Sequence, residues 1–412
     1  MQGDPRAAAE RAARESYGKL VAFLAARSRD IAAAEDALAE AFATALVQWP
    51  RDGVPDRPDA WLLTVARRRM ADAIRRRATA DAATEHLTMI DAERREGTPE
   101  TIADERLRLM FACAHPAIDP AARAPLILQT ILGLDAASIA AAFLVPPATM
   151  SQRLVRAKTR IRDAGIPFRV PEQEELPERL DAVLAAIYAA FGAGWSDADG
   201  SEPAKRDLAT EAIWLGRVVT AQMPGEAEPA GLLALMLYVE ARRGARRDGG
   251  RYVPLSEQDP ADWNGLLIDE AETLLARASA LAGVGRFQIE AAIQSIHCAR
   301  RATGATNWTA VLAAYDVLMA LSDSPVAAIN RAVALAEIEG PTAGLAELDR
   351  LASDRRIAGY QPYWAARAEL AARMGNMADA AEAWAKAIEL ADDPTVCAWL
   401  KDRLATATAR AN

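Results

Sequence analysis

The stretch GLDAASIAAAFLVPPATMSQRLVRAK, residues 133–158, decides how the chain is read. Gly133 punctuates it at the start, and Asp135 is placed to cap a first helix whose inward face is Ile139, Ala140 and Phe143. Leu144 and Val145 make a turn. Pro146 and Pro147 open a second helix, where a missing N–H costs nothing. Met150, Leu154, Ala157 and Ile161 then recur at helical spacing and predict a buried face. Ser151, Gln152, Arg153, Arg156, Lys158, Arg160 and Arg162 are left for the opposite face. Two short helices around such a turn make a helix-turn-helix. Gln and Arg early in its second helix can meet base edges in a major groove, and Arg and Lys further along can meet phosphates.

The rest of the chain predicts an all-α protein. Alanine, leucine, arginine and glutamate dominate its 412 residues, and runs of β-branched residues are scarce. The net charge of −9 is unevenly spread. Residues 1–80 carry fourteen Lys/Arg against eleven Asp/Glu, and residues 106–170 carry nine against three. Between them, residues 81–105 hold two basic against eight acidic residues, and residues 171–412 hold twenty-three against thirty-five. Local basic blocks, more than total charge, are the footprint of nucleic-acid binding. The longest apolar run, Leu232 to Val239, is far short of the roughly 18 residues a membrane span needs. The N-terminus has no apolar signal-peptide core, and three scattered cysteines, Cys113, Cys298 and Cys397, suit a reducing cytoplasm.

Upstream, the pattern predicts three helices, over Pro5–Ala26, Ile31–Gln48 and Ala60–Arg77, with a proline-rich loop at 49–58. In the second, Leu38 and Phe42 form an apolar stripe edged by Glu35, Asp36 and Glu40. In the third, Trp61, Leu62, Val65 and Ala66 can pack inward while Arg67, Arg68, Arg69, Arg75, Arg76 and Arg77 face out. A cationic helix of this kind can hold a displaced DNA strand.

Residues 126–161 resemble region 4 of extracytoplasmic-function sigma factors, the sigma-70 relatives that direct bacterial RNA polymerase to promoters. That resemblance implies −35 contacts by Ser151, Gln152, Arg153, Val155, Arg156 and Lys158. Residues 34–42 are similar to region 2.2, which implies that Glu35, Asp36, Leu38, Glu40 and Phe42 dock on the β′ coiled coil of core polymerase. Residues 59–77 are similar to regions 2.3 and 2.4, which implies −10 contacts by Trp61, Arg67, Arg68, Arg69, Arg75 and Arg76. Many relatives carry a basic residue at the Ser151 position and Asn at the Arg68 position, so no promoter sequence follows.

The C-terminal half reads as amphipathic helices. Gly304, Gly340 and Gly375 recur at intervals of 36 and 35, as in stacked helical hairpins. The last unit resembles a tetratricopeptide repeat, with Trp364, Ala368 and Ala371 before Gly375 and Ala380, Trp384, Ala387 and Leu390 after it. The C-terminal half is similar to the extension of a long sigma subgroup, which implies a regulatory or protein-binding role. The expected organisation is region 2 at 1–80, an acidic linker at 81–105, region 4 at 106–168 and a helical-repeat domain at 169–412. Cys113 with His115, and His297 with Cys298, lack the further neighbours a metal site needs. No phosphate loop or nucleophile elbow is present, so neither cofactor nor enzymatic activity is expected. Two other readings stay open: a helix-turn-helix regulator with a repeat sensor, and a peptide-binding scaffold.

Overall fold

The computed structural model describes residues 4–80, 99–143, 145–172, 174–195 and 203–411. Among these, the elements are nineteen α-helices, two 3₁₀ turns and one two-stranded hairpin, as an all-α reading requires. The chain divides into two compact units, one of residues 1–196 and 203–218, the other of 197–202 and 219–412.

The first unit opens with a three-helix bundle: α1 (Pro5–Ser28), α2 (Ile31–Asp52) and α3 (Pro58–Ala80). Asp4 caps α1 and Asp30 caps α2, the latter accepting from the Ala33 N–H at 3.0 Å. Ile31, Ala34, Leu38, Ala41, Ala45 and Trp49 form the buried stripe of α2, which packs on α1 and α3; the buried residues of those helices include Val21, Ala22 and Ala25, and Leu62, Ala66 and Met70. The loop predicted over 49–58 is shorter than expected. Helix α2 continues through Pro50 to Asp52, with the Gly53 N–H closing on the Trp49 carbonyl at 3.1 Å. Pro50 sits in the last, exposed turn, and burial of Trp49 holds that turn in place.

Four helices follow: α4 (Pro99–Cys113), α5 (Pro120–Leu132), α6 (Ala136–Ala142) and α7 (Pro147–Asp163). Residues 99–105, expected as linker, are already helical; residues 81–98 lie outside the described residues. Helix α5 is the hub, with Leu126, Ile127, Leu128 and Ile131 buried beneath α1, α4, α6, α7 and α8 (Leu176–Trp195). Helix α9 (Pro203–Gln222) follows, most of it in this unit. Two arginines fasten these later helices. Arg123 donates to Glu178 at 2.8 Å and to the carbonyls of Ile118 and Pro116. Arg106, 2% exposed, pairs with Glu211 and lies over the Trp214 ring. The compact unit thus extends past residue 168, where the sequence sets the start of the C-terminal domain.

The second unit holds α10 (Ala227–Ala241), α11 (Gly265–Ser279), α12 (Arg286–Cys298), α13 (Arg300–Thr303), α14 (Trp308–Leu321), α15 (Pro325–Glu339), α16 (Pro341–Leu351), α17 (Gln361–Arg373), α18 (Met377–Glu389) and α19 (Pro394–Ala411). The apolar run noted in the sequence is α10, buried almost all round between α11 and α12. The Glu228 carboxylate of α10 accepts from the Phe287 and Gln288 N–H groups, both at 3.0 Å, at the N-terminus of α12. From α14 onward each helix packs on the next. Gly340 and Gly375, at φ 94° and 80°, make the turns of two of these hairpins. Around Gly375, Ala368, Ala371, Ala380, Trp384 and Ala387 form one cluster with Leu400. A small antiparallel hairpin pairs Arg247 with Tyr252 and reaches α19. Arg247 meets Asp393 at 2.9 Å, and the Tyr252 and Trp399 rings pack edge to face at 5.8 Å.

Candidate nucleic-acid and polymerase interface

Helix α6 begins where Asp135 accepts from the Ala137 and Ser138 N–H groups at 2.9 Å and from the Ser138 hydroxyl at 2.7 Å. These donors hold the Asp135 carboxyl below its ordinary range. The Val145 N–H closes the turn on the Ala140 carbonyl at 3.0 Å, while Leu144 lies outside the described residues. Pro146 is the N-cap of α7, and Pro147 its first residue. Met150, Leu154, Ala157 and Ile161 are buried beneath it. Ser151, Gln152, Val155 and Arg156 are exposed, Val155 by 63%, and Arg153 is half-buried. A helix face that offers an amide, a guanidinium and an apolar side chain together has the groups that base edges and a thymine methyl require.

Lys158 is a correction. The sequence places it on the outer face, but it turns inward and pairs with Glu35 of α2 at 2.5 Å, the two side chains 13% and 15% exposed. It stands one turn after Leu154 and three residues before Ile161, at the edge of the core face, where a neighbouring helix decides its environment. Burial raises the Glu35 carboxyl, against the opposing effect of Lys158. Arg160 reaches the Ala117 carbonyl at 3.4 Å.

On α3, Arg68 is exposed. Arg67 is half-buried, its guanidinium 4.7 Å from the Phe23 ring, which Arg27 also covers at 3.9 Å. Arg69 pairs with Glu40 at 3.4 Å and Arg75 with Asp72 at 3.1 Å. The side chain of Arg76 lies outside those described. Trp61 is half-buried, edge-on to Trp49 with ring centres 5.5 Å apart.

On α2, Asp36 and Glu40 are exposed and Phe42 is half-buried. Leu38 is the second correction. It has no exposed surface, because it continues the Ile31–Trp49 stripe into the core. The apolar groups that α2 does offer to solvent are Leu46 and Val47, 51% and 56% exposed, which the sequence reading missed. Their signal is position: both fall off the spacing that buries Ala41, Ala45 and Trp49.

Cys113 is buried 3.6 Å from the Thr130 hydroxyl, which does not prevent burial from pushing its thiol up to about 12. His297 packs edge-on against Trp308. Among the described residues no group of three or more His, Cys, Asp or Glu is placed to hold a metal ion, and no helix is long and apolar enough to cross a membrane.

Comparison with known families agrees with the N-terminal reading. Sigma-70 region 2 matches residues 13–79, which cover most of α1 and run through α2 and α3. A family of unknown function, DUF6596, matches residues 179–279, from α8 to the end of α11. Uncharacterized protein R00370 of Rhizobium meliloti (strain 1021) is 38% identical over 385 residues, 91% of this chain and 90% of that protein. No solved structure matches the chain. The chain belongs to the same family as R00370, and its residues 13–79 are similar to sigma-70 region 2.

Proposed function

We propose that the chain is an extracytoplasmic-function sigma factor of the long subgroup, acting on promoter DNA in the cytoplasm beside the nucleoid. Helix α2 docks on the β′ coiled coil of core polymerase through Asp36, Glu40 and Phe42, with Leu46 and Val47 adding apolar surface. Helix α3 reads and holds the melted −10 element, and α7 reads the −35 element with Ser151, Gln152, Arg153, Val155 and Arg156. The tetratricopeptide-like stack of α14–α19 regulates these modules or receives a protein partner. The polymerase performs the chemistry.

The observation that carries this reading is the division of α7. Its buried face is complete, and its exposed face concentrates Gln152, Val155 and Arg156 in the same compact unit as a sigma-70 region 2. Run-off transcription with purified core polymerase tests it. Promoter-specific transcripts from core plus this chain are expected. DNA binding without transcripts would instead favour a helix-turn-helix regulator, and neither result would favour a scaffold.

A further inference from the structure

Residues 171–412 are acidic overall, with thirty-five Asp/Glu against twenty-three Lys/Arg, yet arginines collect at one place in the second unit. Arg242, which ends α10, is 8% exposed. One of its terminal nitrogens donates to the Gln294 amide oxygen, and the other, Nη1, is buried without a hydrogen-bond partner among the described residues. Buried guanidinium groups are ordinarily paired with a carboxylate, and among the described residues none pairs with Arg242. Burial, together with the nearby Arg246 and Arg300, holds this guanidinium below its ordinary range. Burial and the same Arg242 and Arg300 push His297 down to about 4, so it stays neutral near pH 7.

Arg300 connects this cluster to a cavity of about 520 Å³, lined by Ser256, Gln258 and Asp259 from the segment before α11 and by Arg300, Arg301 and Gly304 around α13. Part of that lining is scaffold. Arg300 donates to the carbonyls of Gln258 at 2.7 Å and Leu255 at 3.0 Å and lies over the Trp263 ring, whose indole N–H donates to the Gln258 side chain at 3.2 Å. The rest is unspent. Arg301, the Ser256 hydroxyl and the second Asp259 oxygen make no hydrogen bond or ion pair among the described residues. Glu257, between Ser256 and Gln258, pairs with Arg403 at 3.6 Å. The Arg301 guanidinium takes the space a side chain at Gly265 would fill, 3.0 Å from where its Cβ would stand, at the first residue of α11. A cation over a helix N-terminus sets like charge against like, and a bound anion relieves both.

We propose that this cavity binds a small organic acid that also carries a hydroxyl or amino group. Its volume lies in the range of small-molecule sites. Arg301 grips the carboxylate, because its planar fork meets two oxygens at once. Asp259 and Ser256 take the donor of the ligand, and Arg242 and Arg300 supply a positive field behind the carboxylate. Asp259 disfavours a purely anionic guest, which has no donor to offset that carboxylate. Nothing in this site depends on the sigma-factor reading.

Saturation-transfer NMR on the full chain, with L-malate, L-glutamate, acetate and inorganic phosphate each at about 5 mM, tests the site. Malate or glutamate should give a signal, and acetate and phosphate a weaker one. Arg301→Ala, at an exposed position with no partner to strand, should weaken that binding about tenfold. Arg301→Lys keeps the charge, loses the fork and should weaken it less. Asp259→Asn keeps an oxygen to accept the Ala261 N–H, removes the charge and should erase the preference over acetate. An unchanged melting temperature checks that each variant is folded. No signal from malate or glutamate, or one that folded Arg301→Ala leaves unchanged, overturns the site. Phosphate binding tighter than either acid, or a preference over acetate that survives Asp259→Asn, overturns the assignment to donor-bearing organic acids.

Discussion

Helix α3 stands on a bundle built wholly from residues 5–80, whereas α7 stands on a core assembled from distant parts of the chain. Leu62, Ala66 and Met70 seat α3 against α1 and α2, and Arg67, Arg69 and Arg75 lean on Phe23, Glu40 and Asp72 of that same bundle. Helix α7 rests on α5, which in turn needs α1 above it and α8 beside it. Helix α4 is fastened through Arg106 to Glu211, far along the sequence. One proposed reader is locally self-sufficient but already engaged with its own acidic residues. The other is open on its exposed face and dependent on remote helices underneath.

The largest effect should come from cutting those remote helices away. A chain ended after residue 168 removes Glu178, Glu211 and the α8 face formed by Leu180, Val183 and Ile187. In urea titration followed by circular dichroism, α4–α7 should lose cooperative unfolding while α1–α3 keep theirs. A chain ended after residue 222 should retain both transitions. Equal behaviour of the two truncations would break the comparison.

A single substitution should reproduce part of that loss. Glu211→Ala strands the buried Arg106 guanidinium and should cost about 3 kcal/mol of unfolding free energy. Adding Arg106→Met should recover most of it, since an apolar side chain of similar length needs no partner. Next in size, Arg156→Ala should weaken binding of polymerase holoenzyme to a −35-containing fragment by about 1–3 kcal/mol and leave the urea midpoint unchanged. Smallest is Arg69→Ala, expected to change promoter affinity by under about 1 kcal/mol. DNA must first displace Glu40 from that exposed pair, so the net gain from the contact is modest. A larger effect from Arg69 than from Arg156 would reverse the assignment of the open and the pre-engaged reader.

Much of this was legible in the chain itself. Asp135, Gly133 and the Pro146–Pro147 pair mark the starts of α6 and α7 because capping and turn chemistry are local. The face of Met150, Leu154, Ala157 and Ile161 follows from periodicity alone. What periodicity does not reveal is which element covers a stripe. Lys158 and Leu38 were therefore misplaced: each sits where a neighbour packed from another part of the chain sets its surroundings. Pro50 was read as a helix breaker, since nothing local announces that burial of Trp49 would hold the final turn. The dependence of α4 and α5 on α8 and α9 was also hidden, because an arginine whose partner lies more than fifty residues away carries no pattern.

The hairpin at 247–252 gives the second unit an unusual mechanical character. An open solenoid frays from whichever end is loose, because each repeat is held only by its neighbours. Here α19 is pinned back to residues that precede α14–α18, through Arg247 with Asp393 and Tyr252 with Trp399. Strain applied at the C-terminus is thereby passed to the beginning of the array instead of being spent on peeling. Amide exchange along α14–α19 should accordingly be near level rather than rising toward the tail, and Asp393→Ala should restore the gradient of an unpinned coil.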